Sequence, residues 1–134
     1  MRQTTILLFS LFLVISVKGF GQQVAPELVK AIREGDARTL SGFFHTSLEM
    51  TILEKDYVVS REQATRILED FFKTNKPVDF TISFGGEKED SHFAIGSLKT
   101  KDRKYRVNLF FIENKDNKKL IYFLSIENDE GYAL

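Results

Sequence analysis

The chain has 134 residues, with 19 lysine and arginine residues, 19 aspartate and glutamate residues, and no cysteine. This length corresponds to one domain. The balanced charge supplies no concentrated positive surface, so we expect neither a nucleic-acid partner nor an anionic membrane partner. Without cysteine the chain cannot form disulfides, use a catalytic thiol or build a cysteine metal site.

The N-terminal segment has the layout of a secretory signal peptide. A short basic start precedes an apolar run at residues 6–17, and Gly19 and Gly21 are small residues at the two positions that a signal peptidase reads. We predict cleavage of residues 1–21, export to the periplasm or the extracellular space, and no membrane association afterwards. An uncleaved anchor is the alternative, but the apolar run is short for a bilayer span.

The mature domain, residues 22–134, must be stable on its hydrophobic core alone. Cleavage removes two basic residues and no acid, which leaves 17 basic and 19 acidic residues and a net charge of −2. A domain of this size buries roughly 65% of the surface of its unfolded chain. Ten phenylalanines remain after cleavage. We therefore predict a core rich in phenylalanine that needs no covalent cross-link.

Two helices are predicted at the start of the mature domain. The first lies within residues 24–35, because Pro26 suits a first turn and Gly35 suits a helix end. Asp36 suits the N-cap of a second, shorter helix, which helical spacing of apolar residues extends to Phe44.

Two short strands and a long helix follow. Residues 48–53 and 57–59 alternate as strands do. Ser60 and Gln63 match a capping box, so a helix begins at the next residue, and it ends before Pro77. The apolar face of this helix consists of Ala64, Ile67, Leu68, Phe71 and Phe72.

The hydrophobic period changes to two in the last part of the chain, which predicts four long strands. In the first of them Phe80, Ile82 and Phe84 share a face, and Gly85 and Gly86 end it. The other three strands are residues 92–99, 105–113 and 120–127. Short polar turns join the four strands into an antiparallel meander. Helices segregated from such a sheet define an α+β fold, with the long helix on the concave face of the sheet and most phenylalanines beneath it.

Several segments carry a resemblance to a known superfamily: residues 35–44, 60–64, 67–72, 93–98, 105–107 and 126–127. They resemble the nuclear-transport-factor-two-like superfamily, which has a cystatin-like fold, and more narrowly a group of small exported bacterial domains of unknown function. The resemblance implies a cone in which N-terminal helices and one long helix pack on a curved four-stranded antiparallel sheet, with two short strands beside it. It covers residues 24–127 and leaves the activity open, because such folds host isomerases, dehydratases and binding modules.

Catalytic members of this superfamily hold an acid/base pair inside the cone. No position here matches such a motif, so we predict no catalytic residue and no cofactor. His45, read as the end of the second helix, and His92 have no ligand partner at metal spacing, so we interpret both as surface residues and predict no metal site. Glu49 alternates with apolar neighbours and is predicted to face solvent. Tyr57 could place its hydroxyl at the mouth of the cone, and a tyrosine at the edge of the core is the alternative.

The strand at residues 104–113 has two different faces. Its odd residues are apolar and match the apolar face of the long helix. Its even residues begin with polar side chains and end with apolar ones, which predicts an exposed patch. The ligand or interface candidates, besides Tyr57, are Arg106, Asn108, Phe110, Ile112 and Tyr122. Leu124 and Ile126 would extend the patch; alternatively, a β-bulge at residues 120–122 returns them to the core.

These observations favour a non-catalytic exported domain. The predicted partner is a small apolar ligand or a protein, including a second copy that forms a homodimer through the sheet face. The alternative is a small acid/base enzyme of the isomerase or dehydratase type, which requires a carboxylate, histidine or tyrosine inside the cone.

Overall fold

Residues 24–88 and 91–129, which this computed structural model describes, form three helices and six strands. The predicted signal peptide lies outside the described residues. In chain order the elements are α1 (Pro26–Glu34), α2 (Ala37–Ser41), β1 (Phe44–Ile52), β2 (Lys55–Ser60), α3 (Arg61–Thr74), β3 (Pro77–Lys88), β4 (Ser91–Thr100), β5 (Lys104–Glu113) and β6 (Lys119–Asn128). Within this part of the chain, no helix has the length and apolar character that a membrane crossing requires.

The predicted end of α1 and the predicted starts of α2 and α3 are confirmed by the structure. Gly35 ends α1 in the left-handed conformation, with φ of 68°. The side chain of Asp36 accepts a hydrogen bond from the backbone N–H of Thr39 at the start of α2. At α3 the backbone N–H of Gln63 donates to Ser60 Oγ at 3.2 Å, and the Ser60 N–H donates to Gln63 Oε1 at 3.1 Å. Side chains close in sequence thus satisfy backbone groups that a helix leaves without partners.

The cap of α2 predicts a dependence of stability on pH. Hydrogen bonds from the hydroxyl and the backbone N–H of Thr39 lower the pKa of Asp36 below 3.8. Because the folded pKa is depressed, this contribution is present above the unfolded value and is lost as the pH falls through the folded pKa. Asp36→Ala should cost about 1 kcal/mol at pH 7 in urea unfolding. We expect the cost to shrink between pH 4 and pH 2.5, with Asp102→Ala, in an exposed turn, as the control. An equal cost at both ends of this range would contradict the prediction.

The strands form one sheet in the order β2-β1-β6-β5-β4-β3. The meander of β3 to β6 is confirmed, and its strands pair antiparallel. The two strands predicted as short additions belong to the same sheet, because β1 pairs in parallel with β6 and antiparallel with β2. The predicted four-stranded sheet is therefore corrected to six strands.

The predicted second helix is also too long. It ends at Ser41, and Phe44 is fully buried as the first residue of β1. The N–H of Ile121 donates to the carbonyl oxygen of Phe43 at 2.7 Å, which draws this segment to β6. His45 consequently lies within β1 and not at the end of a helix. At Phe43 and Phe44, pairing with the distant strand β6 therefore outweighed the helical spacing of the local sequence.

The core lies between the helices and one face of the sheet, called here the inner face. The odd residues of β5 are buried on it: Tyr105, Val107, Leu109 and Phe111. The ring of Phe71 in α3 contacts that of Tyr105, with centroids 5.4 Å apart, and the Tyr105 hydroxyl donates to Asn75 Oδ1 at 2.8 Å. This confirms α3 as the partner of β5. Five of the ten mature phenylalanines are buried, fewer than expected: Phe44, Phe71, Phe72, Phe80 and Phe111.

A β-bulge at Tyr122 decides which face each residue of β6 occupies. Phe110 pairs with Phe123 and the next residue of β5 pairs with Ile121, so Tyr122 is the extra residue. The shift turns Leu124 and Ile126 to the inner face, where they expose 1% and 2% of their surface. The bulge alternative is therefore confirmed, and these two residues do not extend the patch.

A second irregularity, at Ser83 in β3, was not expected. Ile82 pairs with Gly96 and Phe84 pairs with Ile95, so one residue of β3 is left over. Phe80 is fully buried on the inner face, whereas Phe84 exposes 49% of its surface on the other side. The strict alternation that placed both on one face is wrong at this point. Nor do Gly85 and Gly86 end the strand, which continues to Lys88.

Gly96 makes room for the buried ring of Phe80. A Cβ atom at Gly96 would lie 2.6 Å from Phe80 Cζ and 2.7 Å from the carbonyl oxygen of Thr81. We expect Gly96→Ala to lower the free energy of unfolding by about 1–3 kcal/mol in urea titrations, because the ring and the backbone must both move. Gly42→Ala is the control: its conformation is helical and its Cβ would meet nothing closer than 3.3 Å. Equal effects of the two changes would contradict this reason.

Candidate functional site

The outer face of the sheet, opposite the helices, carries a cluster of apolar side chains that we call the aromatic face. It consists of Phe84, Phe93, Phe110, Ile112, Tyr122 and Phe123. Phe110 and Ile112 expose 39% and 40% of their surface, and Phe84 exposes 49%. Apolar patches of this kind on a folded domain mark interaction sites.

The rings of the aromatic face form a continuous row across four strands. Phe84 on β3 contacts Phe93 on β4 with ring centroids 5.7 Å apart, and Phe93 contacts Phe110 on β5 at 6.3 Å. Phe110 in turn contacts Tyr122 and Phe123 on β6 at 6.3 and 5.2 Å. Adjacent rings are inclined by 44° to 85°, so they interlock and do not share a plane. Phe110 is the centre of the row.

A groove of about 460 Å³ lies beside the row and is centred on β5. Asn108 and Phe110 form its middle, and side chains of β4 and β6 form its walls. The Asn108 side-chain amide donates to Ser125 Oγ at 2.9 Å. Ser125 is 1% exposed, so this hydrogen bond satisfies a buried hydroxyl. The outer face thus combines protruding rings with an adjacent depression.

The structure brings together five of the six candidate residues. Arg106, Asn108, Phe110 and Ile112 follow one another on the outer face of β5, and Tyr122 contacts Phe110. Tyr57 lies on β2, two strands beyond β6, where it lines a separate surface pocket with Ile52, Leu53, Glu54, Lys55 and Asn128. It therefore does not belong to the aromatic face.

Sequence reasoning missed three members of the aromatic face: Phe84, Phe93 and Phe123. Phe93 could have been found, because β4 alternates buried Ala94 and Leu98 with partly exposed apolar residues on the other parity. Phe84 reaches this face through the unexpected bulge in β3. Phe123 reaches it through the bulge in β6, which the sequence offered only as an alternative.

His92 is buried, which corrects its interpretation as a surface residue. It exposes 7% of its surface and shares the inner face with Ala94 and Leu98. Its Nδ1 lies 3.8 Å from Glu87 Oε1 and its Nε2 lies 3.9 Å from Glu113 Oε1, both beyond hydrogen-bond distance. Because the two nitrogens point to different carboxylates, the three side chains do not converge on one point. In the described residues, no three acidic, histidine or cysteine side chains are placed to hold a metal ion.

A second depression lies at the mouth of the cone, between α1 and the β5–β6 turn. This cone-mouth cavity has a volume of about 410 Å³. Leu28 and Phe111 contribute to its apolar floor, and Lys118 and Lys119 lie at its basic rim. His92 does not line it.

The element order, the curved six-stranded sheet and the three helices on its inner face define the nuclear-transport-factor-two-like, or cystatin-like, fold. An NTF-2-like protein of unknown function from Silicibacter pomeroyi aligns with a TM-score of 0.56 and 15% identity, over 75% of this chain and 85% of that one. The predicted fold class is confirmed.

The chain belongs to the family described as "Domain of unknown function (DUF4783)", whose sequence model matches residues 25–127. A DUF4783 protein from Bacteroides ovatus aligns with a TM-score of 0.75 and 27% identity, over 81% of this chain and 97% of that one. Another from Bacteroides fragilis aligns with a TM-score of 0.74 and 30% identity, over 78% and 98%. No curated protein matches the chain. The predicted resemblance to a family of unknown function is confirmed.

Proposed function

We propose that this protein is an exported interaction domain that forms a homodimer through its aromatic face. The observation that carries the proposal is the continuous row of rings, which ends in exposed Phe84 and is centred on half-exposed Phe110. Covering these side chains removes apolar area from water at about 25 cal/mol per Å². Export is proposed from the signal-peptide layout of residues 1–21.

The outer face has the dimensions that a pair requires. Strands β4, β5 and β6 have ten residues each and β3 has twelve. Four such strands cover roughly 30 Å by 19 Å. The projected area of about 570 Å² is near the lower end of specific interfaces, which bury roughly 600–1,000 Å² of accessible surface per partner. An apolar centre with Arg106 and Glu127 toward one end corresponds to the core and polar rim of such an interface.

The ring geometry favours a protein partner over a stacked ligand. Sugars and nucleotide bases stack on aromatic faces that they can lie flat against. Here adjacent rings are inclined by at least 44°, so the row offers ridges and hollows. Ridges and hollows suit interdigitation with side chains of a second protein surface.

The acid/base enzyme alternative has less support. It requires a titratable group that a substrate can reach inside the cone. Of the buried candidates, His92 and Tyr105 do not line the cone-mouth cavity, and the Tyr105 hydroxyl is engaged by Asn75. The geometry of the described residues thus favours association over chemistry.

The cone-mouth cavity supports a second candidate function, the binding of a small apolar ligand with an acidic head. Its apolar floor and its rim of Lys118 and Lys119 match such a molecule. Calorimetric titration with decanoate tests this candidate, and Ala25→Phe, which narrows the cavity, should abolish the binding heat. If decanoate binds to this variant with the same heat as to the wild type, the cone-mouth cavity is not its binding site and this candidate function is overturned.

The dimer is tested by sedimentation equilibrium of residues 22–134 over a wide range of concentrations. We expect the average mass to rise with concentration from the monomer to twice that value. A mass that stays at the monomer value at every concentration would overturn the proposal. The variant Gly86→Ala offers a further check. The Cβ atom of the new alanine would lie 2.7 Å from Phe93 Cε1, so the ring of Phe93 must move. We expect this variant to associate more weakly.

A further inference from the structure

We infer that edge strand β3 is a docking site for an extended segment of a partner protein, which adds a strand to the six-stranded sheet. The edge is distinct from the outer face, so this docking does not depend on the proposed homodimer. In recognition by β-strand addition, backbone hydrogen bonds supply the affinity and alternate side chains supply the specificity.

The two edges of the sheet differ in length and charge. Strand β2 has six residues, and Lys55 and Asp56 place charges at its beginning. Strand β3 has twelve residues and carries no charged residue from Phe80 to Gly86. Natural proteins protect the edges of their sheets by keeping the edge strand short or by placing charges on it. Strand β2 is protected in both ways, whereas the middle of β3 is long and uncharged.

The edge of β3 is also accessible. Among the described residues only β4 pairs with β3, so one side of its backbone has no strand beside it. Val78 exposes 61% of its surface, and Thr81 and Ser83 are exposed as well. These exposed side chains show that no described element covers this part of the edge. A strand at an edge presents a row of backbone N–H and C=O groups, and on β3 this row is open to a further strand.

The bulge at Ser83 favours a flexible segment over the β3 edge of a second copy. Its extra residue bends the strand and increases the local twist. Two rigid sheets that meet edge to edge must match along the length of their strands, and a bulge hinders such a match. An extended segment without a fold of its own can follow the bend, because its backbone is free to twist. The occupant is therefore a flexible segment of another protein.

The charges at the two ends of the uncharged run define the chemistry of this segment. Asp79 precedes the run and Glu87 follows it, and both side chains are about half exposed. The ion pair of Asp79 with Arg33 is long, at 3.7 Å, and leaves the carboxylate accessible. Asp79 lies on the outer face, since its neighbour Phe80 is on the inner face, and Glu87 shares the inner face with its partner His92. A complementary segment therefore has a basic residue at each end, on opposite faces, and uncharged residues that favour strands between them.

Titration of residues 22–134 into a labelled peptide, KVTVTVTK with both ends capped, tests the docking site. The terminal lysines of this peptide lie on opposite faces of an extended strand, and the residues between them favour strands. The control peptide carries N-methyl groups on its two central residues, so a backbone donor is lost on each edge while the side chains are unchanged. Fluorescence anisotropy measures the binding. We expect saturable binding of the first peptide and binding at least about tenfold weaker for the second.

Two further measurements locate the bound peptide. Amide hydrogen exchange should slow in β3 and stay unchanged in β2 when the peptide is present. Glu87→Lys should weaken binding of KVTVTVTK and strengthen binding of EVTVTVTE, because the charge at this end of the run is reversed. Glu54→Lys, in the turn between β1 and β2, is the matched control and should change neither affinity.

Several outcomes would overturn the assignment of this site. They are the absence of saturable binding, equal binding of the N-methylated peptide, slower exchange only outside β3, and equal affinities of the Glu87→Lys and Glu54→Lys variants. None of them bears on the homodimer, which is tested by the mass of the protein without peptide.

Discussion

A Phe110→Glu variant of residues 22–134 is expected to remain monomeric at concentrations where the wild type pairs. Phe110 contacts Phe93, Tyr122 and Phe123, so it is the centre of the aromatic face. A carboxylate at this place would have to lose water against apolar rings on association. A penalty of about 3 kcal/mol corresponds to a dissociation constant roughly a hundredfold higher. Sedimentation equilibrium measures this change directly.

The matched control is Val58→Glu. Val58 is more exposed than Phe110, at 79%, and lies on edge strand β2, away from the aromatic face. If hydrophobic exposure in general drove association, Val58→Glu would weaken it more than Phe110→Glu. We expect Val58→Glu to associate like the wild type and both variants to unfold at similar urea concentrations as monomers. Equal weakening by the two changes would contradict a specific interface.

Phe80→Ala is expected to lower the free energy of unfolding by about 3–5 kcal/mol, the range for a phenylalanine removed from a core. Phe80 is fully buried and rests on Gly96, so its removal leaves a cavity between β3 and β4. Urea titration in the monomeric Phe110→Glu background measures the change without a contribution from association.

Phe84→Ala, four residues along the same strand, is the control for this prediction. Phe84 is half exposed and loses mainly its ring contact with Phe93, so we expect a cost of about 1 kcal/mol. Similar costs at the two positions would mean that the bulge at Ser83 does not separate their faces. A double-mutant cycle provides a second check. Gly96→Ala should lower the free energy of unfolding less in the Phe80→Ala background than in the wild type, because the ring that its Cβ would meet is absent.

Much of the fold could be predicted because its signals are local. The capping box at Ser60, the N-cap at Asp36 and the left-handed Gly35 each depend on residues within one helical turn. The two faces of β5 follow from the alternation of its side chains, and four candidates on its outer face were found in this way. These signals act over a few residues, and tertiary contacts did not overrule them.

The candidate site was only partly predictable, because distant strands determine its membership. Phe44, which helical spacing placed in the second helix, lies in β1. Tyr57 lies on β2, a strand remote from the aromatic face. His92 follows the inner parity of β4 although its side chain is polar. At Phe44, pairing of β1 with β6, which is far away in the chain, outweighed the helical preference of the local sequence.

The sequence by itself determined the end of α1, the starts of α2 and α3, the meander of β3 to β6 and the existence of an apolar outer surface on β5. Only the tertiary structure decided how large that surface is and which rings form it. The extra residues at Ser83 and Tyr122 reverse the faces of the residues that follow them. A bulge of this kind forms where it improves the packing on both faces of the sheet. The alternation of side chains within one strand does not show whether this is the case.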